Sequence, residues 1–307
     1  MSVLLLGSKA DKHLEAIECQ LKQLQCEVVR TDIYQDTSDF AFYYDEGSAD
    51  FRYKNKSITY FNSIYWRHNQ ENMFRDKQYS VEYLYKQQEV INFFFGMSAL
   101  TSMRWINPML SAYKMENKPL QMALAVEVGL KMPKTLITGG RSYVDEILGN
   151  KLSNLIEKAI GMAWAEDGTP TYTAEFDYNK LRMSAVYPTI VQQRIRRESE
   201  LRIYVIDERI IPIEIQVAMS HRTILDWKSI DFHARNYSYF SLPESLQEKL
   251  LSYHLRSGLV YAAYDYIVDE EDFYFLECNP SGNWLFLPEK IANEITLAIC
   301  RALVREH

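Results

Sequence analysis

Asp265, Glu277 and Asn279 offer two carboxylates and an amide carbonyl within one short stretch, Tyr261 to Leu287. These are hard oxygen donors suited to magnesium, an ion that seldom takes an all-protein cage and prefers to share itself with substrate phosphates. Two β-rich runs, Tyr261 to Val268 and Phe273 to Asn279, flank the acidic turn Asp269-Glu270-Glu271-Asp272, which predicts a hairpin. Side chains alternate along a strand, so Glu277 and Asn279 share one face and Cys278 takes the other. Asp265 lies on the neighbouring strand, where register would bring it beside them, and Pro280-Ser281-Gly282 turns the chain away. A solvated hairpin is the alternative. Against it, Phe273 to Leu276 is too apolar for a wholly exposed strand, and a Glu and an Asn at its end need a reason.

The scaffold for this stretch must come from a chain of 307 residues, 47% hydrophobic and 24% charged, enough for a large core in roughly two domains or one multi-lobed unit. A net charge of -7 provides no global basic field for nucleic acid or an anionic membrane, so an anionic substrate would need a local basic patch. Cys19, Cys26, Cys278 and Cys300 show neither a C-x-x-C pair nor a regular framework, which reads as reduced thiols in a cytoplasmic protein without structural zinc. The opening MSVLLLG lacks a basic leader, and its apolar run is too short for a signal peptide or a membrane span.

Along the chain, strand Val3 to Leu6, a helix from about Lys12 to Leu24 and strand Val28-Val29 give a β-α-β opening without the Gly-rich phosphate fingerprint. Aromatic segments between Asp39 and Tyr65 read as short strands leading to Arg67, which either faces a cleft or makes a salt bridge. Helices are expected over Tyr79 to Leu100 and Ala112 to Val128, a strand over Thr135 to Thr138, a helix over about Ser142 to Leu148 and a strand over Ser153 to Ala159. Ala165 to Thr173 reads as a mobile loop. Alternating strands then run from Thr189 through Gln216, an irregular segment from Leu225 to Tyr239, and helices over Pro243 to Leu259 and Glu289 to Arg305.

Taken together, the chain resembles the ATP-grasp superfamily, and within it the microviridin-type or graspetide maturases that macrocyclise ribosomally made peptides. The pieces that carry the resemblance begin with Trp105-Ile106-Asn107-Pro108, Lys118-x-x-Gln121 and Pro133-Lys134-Thr135. They continue with Ile156-Glu157-Lys158-Ala159, Val191-Gln192, Glu200-Leu201-Arg202, Asp226-Trp227, Tyr264-Asp265 and Leu276-Glu277-Cys278-Asn279-Pro280-Ser281-Gly282-Asn283-Trp284. The resemblance implies an α/β fold in which a doubly wound-like N-terminal domain, 1–105, precedes two lobes with antiparallel sheets that clasp ATP. These are a linker helix with a small central lobe, 106–188, and a C-terminal lobe with the metal site, 189–307.

The resemblance also implies roles. Lys158 would contact the nucleotide phosphates; Lys118, Gln192, Gln193 and Glu200 would line the nucleotide, Gln192 and its neighbour beside the adenine; Arg202 would meet the γ-phosphate or the acyl phosphate; Asp265, Glu277 and Asn279 would hold Mg2+. ATP would convert a side-chain carboxylate of a leader-bearing precursor peptide into an acyl phosphate, which a hydroxyl or amine of the same peptide displaces. A carboxylate-amine ligase that adds a free amino acid to a protein, peptide or small molecule is the rival reading. The implied partners are the precursor peptide and a second copy of the chain in a homodimer, with no nucleic acid and no membrane. Two positions depart from the family's pattern: Arg197, where a lysine is common, and Lys228, where an arginine follows Asp-Trp. No enzyme nucleophile is needed, so Cys278 is read as core packing.

Overall fold

The computed structural model describes residues 1–67, 81–140, 143–148, 154–161, 173–177, 188–217 and 235–305. The expected β-α-β opening is β1 Ser2–Leu6, α1 Lys12–Gln23 and β2 Glu27–Thr31. α1 starts where Asp11 accepts the His13 N–H at 2.8 Å, an N-cap that satisfies one of the helix's free donors. The aromatic segments that follow form a three-stranded antiparallel insertion, β3 Phe40–Asp45, β4 Ser48–Tyr53 and β5 Lys56–Ser57. The chain then adds β6 Ser63–Trp66, α2 Val81–Leu100 and β7 Arg104–Ile106, which complete a parallel sheet in the order β2-β1-β6-β7. Strand β1 is buried on both faces, the reason its sequence is an unbroken apolar run rather than an alternation.

One helix was expected over 112–128, but two form: α3 Met109–Glu116 and α4 Lys118–Glu127. Asn117 separates them, because its ψ of 112° leaves the helical region and its side-chain Oδ1 accepts the Leu120 N–H at 3.1 Å. Pro119, in the first turn of α4, needs no N–H partner there. A small antiparallel sheet follows, built from β8 Thr135–Thr138, β9 Leu155–Lys158, β10 Ala174–Glu175 and β11 Thr189–Gln193 in the order β10-β9-β11-β8. Between β8 and β9, where the sequence predicts a helix, Val144–Leu148 forms one of the π type.

The large sheet is β12 Ser199–Ile206, β13 Arg209–Val217, β14 Arg235–Tyr239, β15 Tyr261–Asp269 and β16 Asp272–Asn279, in the order β14-β13-β12-β15-β16, all antiparallel. Helix α5 Glu244–Ser257 precedes β15, and α6 Glu289–Leu303 closes the described chain. Two further sequence readings are corrected. Residues 189–193 pair with β8 and β9, so they belong to the small sheet and not to the C-terminal lobe that was expected to begin at 189. Residues 235–239, expected to be irregular, pair with β13 because Asn236 and Ser238 alternate with Tyr237 and Tyr239 along a strand. Ala165 to Tyr172 of the expected loop, and Asp226, Trp227 and Lys228, lie outside the described residues.

Each face of the large sheet serves a different core. Leu201, Ile203, Val205, Tyr264, Tyr266 and Cys278 pack with apolar residues of α3, α4 and α5. Tyr204, Ile206, Ile213, Tyr261 and Ala263 pack with α1, α6 and the fully buried Trp284. Helix α6 touches both the parallel sheet and β12, so it fixes the N-terminal sheet against the large one. Among the described residues, no helix is long and apolar enough to cross a membrane.

Candidate functional site

Register decides which side chains meet on the large sheet. Arg202 on β12 lies opposite Asp265 on β15, Asp265 lies opposite Glu277 on β16, and Ala263 lies opposite Asn279. Glu200, Arg202 and Tyr204 alternate onto this same face of β12. The hairpin and the shared face of Glu277 and Asn279 are therefore as the sequence predicts, and Cys278 is buried on the opposite face. The strands run on to pair Asp269 with Asp272, which shortens the expected four-residue turn to Glu270-Glu271. Strict alternation would have carried Phe275 onto the polar face with Glu277. Instead Asp265 pairs with Glu277 and Tyr266 with Phe275, which leaves Leu276 as an extra residue. This β-bulge lets Phe275 and Cys278 enter one core while Glu277 stays with Asp265, a common device beside functional sites.

Hydrogen bonds join the three expected metal ligands. The Asn279 amide nitrogen donates to Asp265 Oδ2 and to Glu277 Oε1, each at 3.2 Å. Asp265 Oδ1 accepts Arg202 Nη1 at 2.7 Å, in an ion pair whose side chains are each 6% exposed. Glu277 Oε2 is bonded to Lys118 Nζ, a pair in which both side chains keep partial exposure. The row thus grades from a desolvated end at Arg202 to a solvent-facing end at Lys118. Burial alone would lower the Arg202 pKa, but the Asp265 carboxylate and Tyr204 hydroxyl beside it hold the guanidinium above its ordinary value.

Two buried amides hold this row in place. Gln121, one turn along α4 from Lys118, donates to Cys278 O at 2.9 Å and accepts Cys278 N at 2.9 Å, closing the open edge of β16. Asn107 accepts the Val260 and Tyr261 N–H groups at 2.9 and 2.8 Å, and donates to Tyr261 O and Pro280 O at 2.8 Å each. It therefore clamps the start of β15 to the turn after β16. Gly282 in that turn has no room for a side chain: a Cβ would lie 2.5 Å from Ala263 Cβ and 2.9 Å from Arg202 Nη2.

The other expected site residues fall in two places. Glu200 continues the row along β12 and pairs with Arg197 at 2.5 Å. Lys158 and Gln192 belong to the small sheet, where register sets Lys158 opposite Ile190 and hence on the same face as Gln192. Gln192 Nε2 donates to Thr135 Oγ1 at 2.8 Å, while its buried Oε1 has no partner among the described residues. Gln193 alternates to the other face of β11, opposite Leu155. Arg67 resolves into the salt-bridge alternative: its Nε donates to Asp11 Oδ2 at 2.8 Å, and its Nη2 to Asn283 Oδ1. Asp11, His13, Tyr204 and Tyr261 escaped the sequence reading, although Tyr204 stands two residues from Arg202 on one strand face.

The donor set fits a divalent cation. Two carboxylates on paired strands and an amide at the same strand end are hard oxygen ligands, and both carboxylates already attract cationic side chains here.

No family model matches the chain, and no curated protein matches it. Solved structures do. The macrocyclase MdnC from Microcystis aeruginosa MRC, bound with the precursor peptide MdnA, aligns with a TM-score of 0.78 at 20% identity, covering 99% of this chain and 99% of that one. A RiPP-associated ATP-grasp ligase from Chryseobacterium gregarium, in complex with ADP and a leader and core peptide, aligns at 0.80 and 21%, over 98% and 96% of the two chains. D-alanine–D-alanine ligase from Bacillus anthracis, complexed with ATP, aligns at 0.62 and 13%, over 97% and 94%. The chain has the ATP-grasp fold.

Proposed function

We propose that this ATP-grasp chain is an ATP- and magnesium-dependent ligase that activates side-chain carboxylates of a ribosomally made precursor peptide and closes intramolecular ester or amide bonds. The observation that carries the reading is the row Lys118, Glu277, Asn279, Asp265 and Arg202, assembled by hydrogen bonds in a fold that aligns over nearly its full length with a precursor-bound macrocyclase and with a RiPP-associated ATP-grasp ligase bound to leader and core peptide.

In this reading Asp265, Glu277 and Asn279 hold magnesium, whose contribution is to neutralise phosphoryl charge. Lys158 contacts the phosphates, and Lys118 and Glu200 line the nucleotide with Gln193. The Oε1 of Gln192, without a partner among the described residues, offers an acceptor to the adenine amino group. Arg202, already fixed through two of its donors, presents the rest of its guanidinium to the transferred phosphoryl group. The γ-phosphoryl group moves to a peptide carboxylate oxygen and ADP leaves. A Ser or Thr hydroxyl or a Lys amine of the same peptide then attacks the acyl carbon, loses its proton, and phosphate departs with one carboxylate oxygen. Tethering supplies the high effective concentration of the nucleophile. The reading includes a leader-bearing peptide partner, a homodimer, a cytoplasmic setting, and lobes at 1–105, 106–193 and 194–307.

The test is co-expression with a small acidic peptide rich in Ser/Thr or Lys encoded beside the gene, followed by mass spectrometry. Loss of whole waters that depends on an intact leader is the expected result. The alignment with D-alanine–D-alanine ligase supports the rival, addition of a free amino acid, for which the substrate would gain mass.

A further inference from the structure

We infer that Arg67, in the N-terminal lobe, is a positioning residue for Arg202 and acts through Asn283 and Tyr204. The inference rests on the proposed ligase reading for its kinetic consequence.

The link is a continuous run of hydrogen bonds between the two arginines. Arg67 directly follows β6 and is 3% exposed. Its Nε donates to Asp11, its Nη2 donates to the Asn283 side-chain oxygen, and its guanidinium lies 5.2 Å from the centre of the Trp284 ring. The main-chain oxygen of the same Asn283 accepts the Tyr204 hydroxyl at 2.7 Å. That hydroxyl in turn accepts Arg202 Nε at 3.2 Å, and Arg202 Nη1 reaches Asp265.

Donor chemistry makes this order directional. A guanidinium can only donate, so Tyr204 must accept from Arg202 and send its single proton elsewhere. The Asn283 carbonyl is that destination. If the carbonyl moves, the hydroxyl must follow it or lose the acceptor that fixes its orientation, and the lone pair that receives Arg202 Nε–H is no longer held in place. Neighbouring contacts hold the turn on either side: Asn107 bonds Pro280 O, Tyr261 OH donates to Gly282 O at 2.5 Å, and the Trp284 N–H donates to His13 Nε2 at 3.2 Å. At Asn283 itself, the side chain is held by Arg67.

A purely adhesive role would not require this chemistry. Trp284 alone buries a large apolar surface between the lobes, and a desolvated ion pair is often no more stabilising than apolar side chains of similar volume. What an arginine adds is a rigid fork that fixes Asp11 and Asn283 relative to each other, which a lysine cannot reproduce.

Two measurements test the inference. In Arg67→Lys, kcat for ATP consumption should fall roughly 10- to 100-fold while the KM for ATP stays near its wild-type value, as expected for a misplaced group at a remote centre. Adding Arg67→Lys to Tyr204→Phe should cause little further loss, because both cut one relay; additive losses would overturn the proposal. The second readout needs no turnover: the Arg202 Nε–H signal in 15N-arginine-labelled protein, assigned by its loss in Arg202→Lys, should shift in Arg67→Lys. An unchanged signal overturns the relay. Asn283→Ala, which keeps the Arg67–Asp11 pair, replaces Arg67→Lys in both measurements if that variant does not fold. A wild-type protein that consumes no ATP would defeat the ligase reading, whereas the resonance would still decide the relay.

Discussion

Gln121 grips both polar groups of Cys278: its Nε2 donates to the Cys278 carbonyl and its Oε1 accepts the Cys278 N–H, each at 2.9 Å. A side-chain amide thus stands in for the next strand of the sheet, and it does so one residue from Glu277. Because Lys118 lies one turn earlier on the same helix, α4 sets both the strand edge and the partner of the carboxylate.

Gln121→Ala should therefore destabilise the protein by about 3 kcal/mol, since buried groups left without partners cost roughly 1–3 kcal/mol each. The loss will register as a lower urea midpoint with an unchanged slope. A midpoint equal to that of the wild type would show that water replaces the amide.

Glu277→Gln, Asn279→Ala and Lys158→Ala should each reduce magnesium-dependent ATP turnover by on the order of 10²-fold or more, the usual effect of removing a group that stabilises transition-state charge. Circular dichroism should stay native. Full turnover in Glu277→Gln would remove that carboxylate from the proposed metal site.

Cys278→Ser should keep its turnover, because the side chain faces the core and burial pushes its thiol well above the ordinary range, leaving no thiolate to react. Placing a hydroxyl there should cost about 1–3 kcal/mol of stability. Iodoacetamide should likewise leave the native enzyme active. Complete inactivation of a folded Cys278→Ser protein would mean that the strand faces the other way.

Acid should destabilise the protein through His254. Burial lowers its pKa from 6.5 to about 4, and its Nδ1 lies 2.7 Å from the Tyr264 hydroxyl. The unfolded chain therefore binds a proton that the folded chain refuses in this window. The stability is complete above pH 6.5, declines as the pH falls toward 4, and has lost about 3 kcal/mol there. His254→Gln should flatten this part of a stability–pH curve; an unchanged slope would assign it to other groups.

The β-α-β opening, the hairpin and the common face of Glu277 and Asn279 were legible in the sequence because each follows from near neighbours. Periodicity, turn residues and capping act over a few positions, and the chain states them directly. Even the break at Asn117 had a local signal, Asn-Lys-Pro, hidden beneath an apolar pattern that runs on across it.

Only the tertiary structure decided the rest. The bulge at Leu276 exists because Phe275 and Cys278 must enter the same core, a demand set by helices packed from elsewhere in the chain. Lys118 meets Glu277 across 159 positions, and Arg67 meets Asn283 across 216. Such pairs depend on sheet register and on which lobe closes against which, and a slip of one residue would turn every partner to the opposite face. Residue types determined what chemistry this chain can do, whereas packing determined which of those residues stand together to do it.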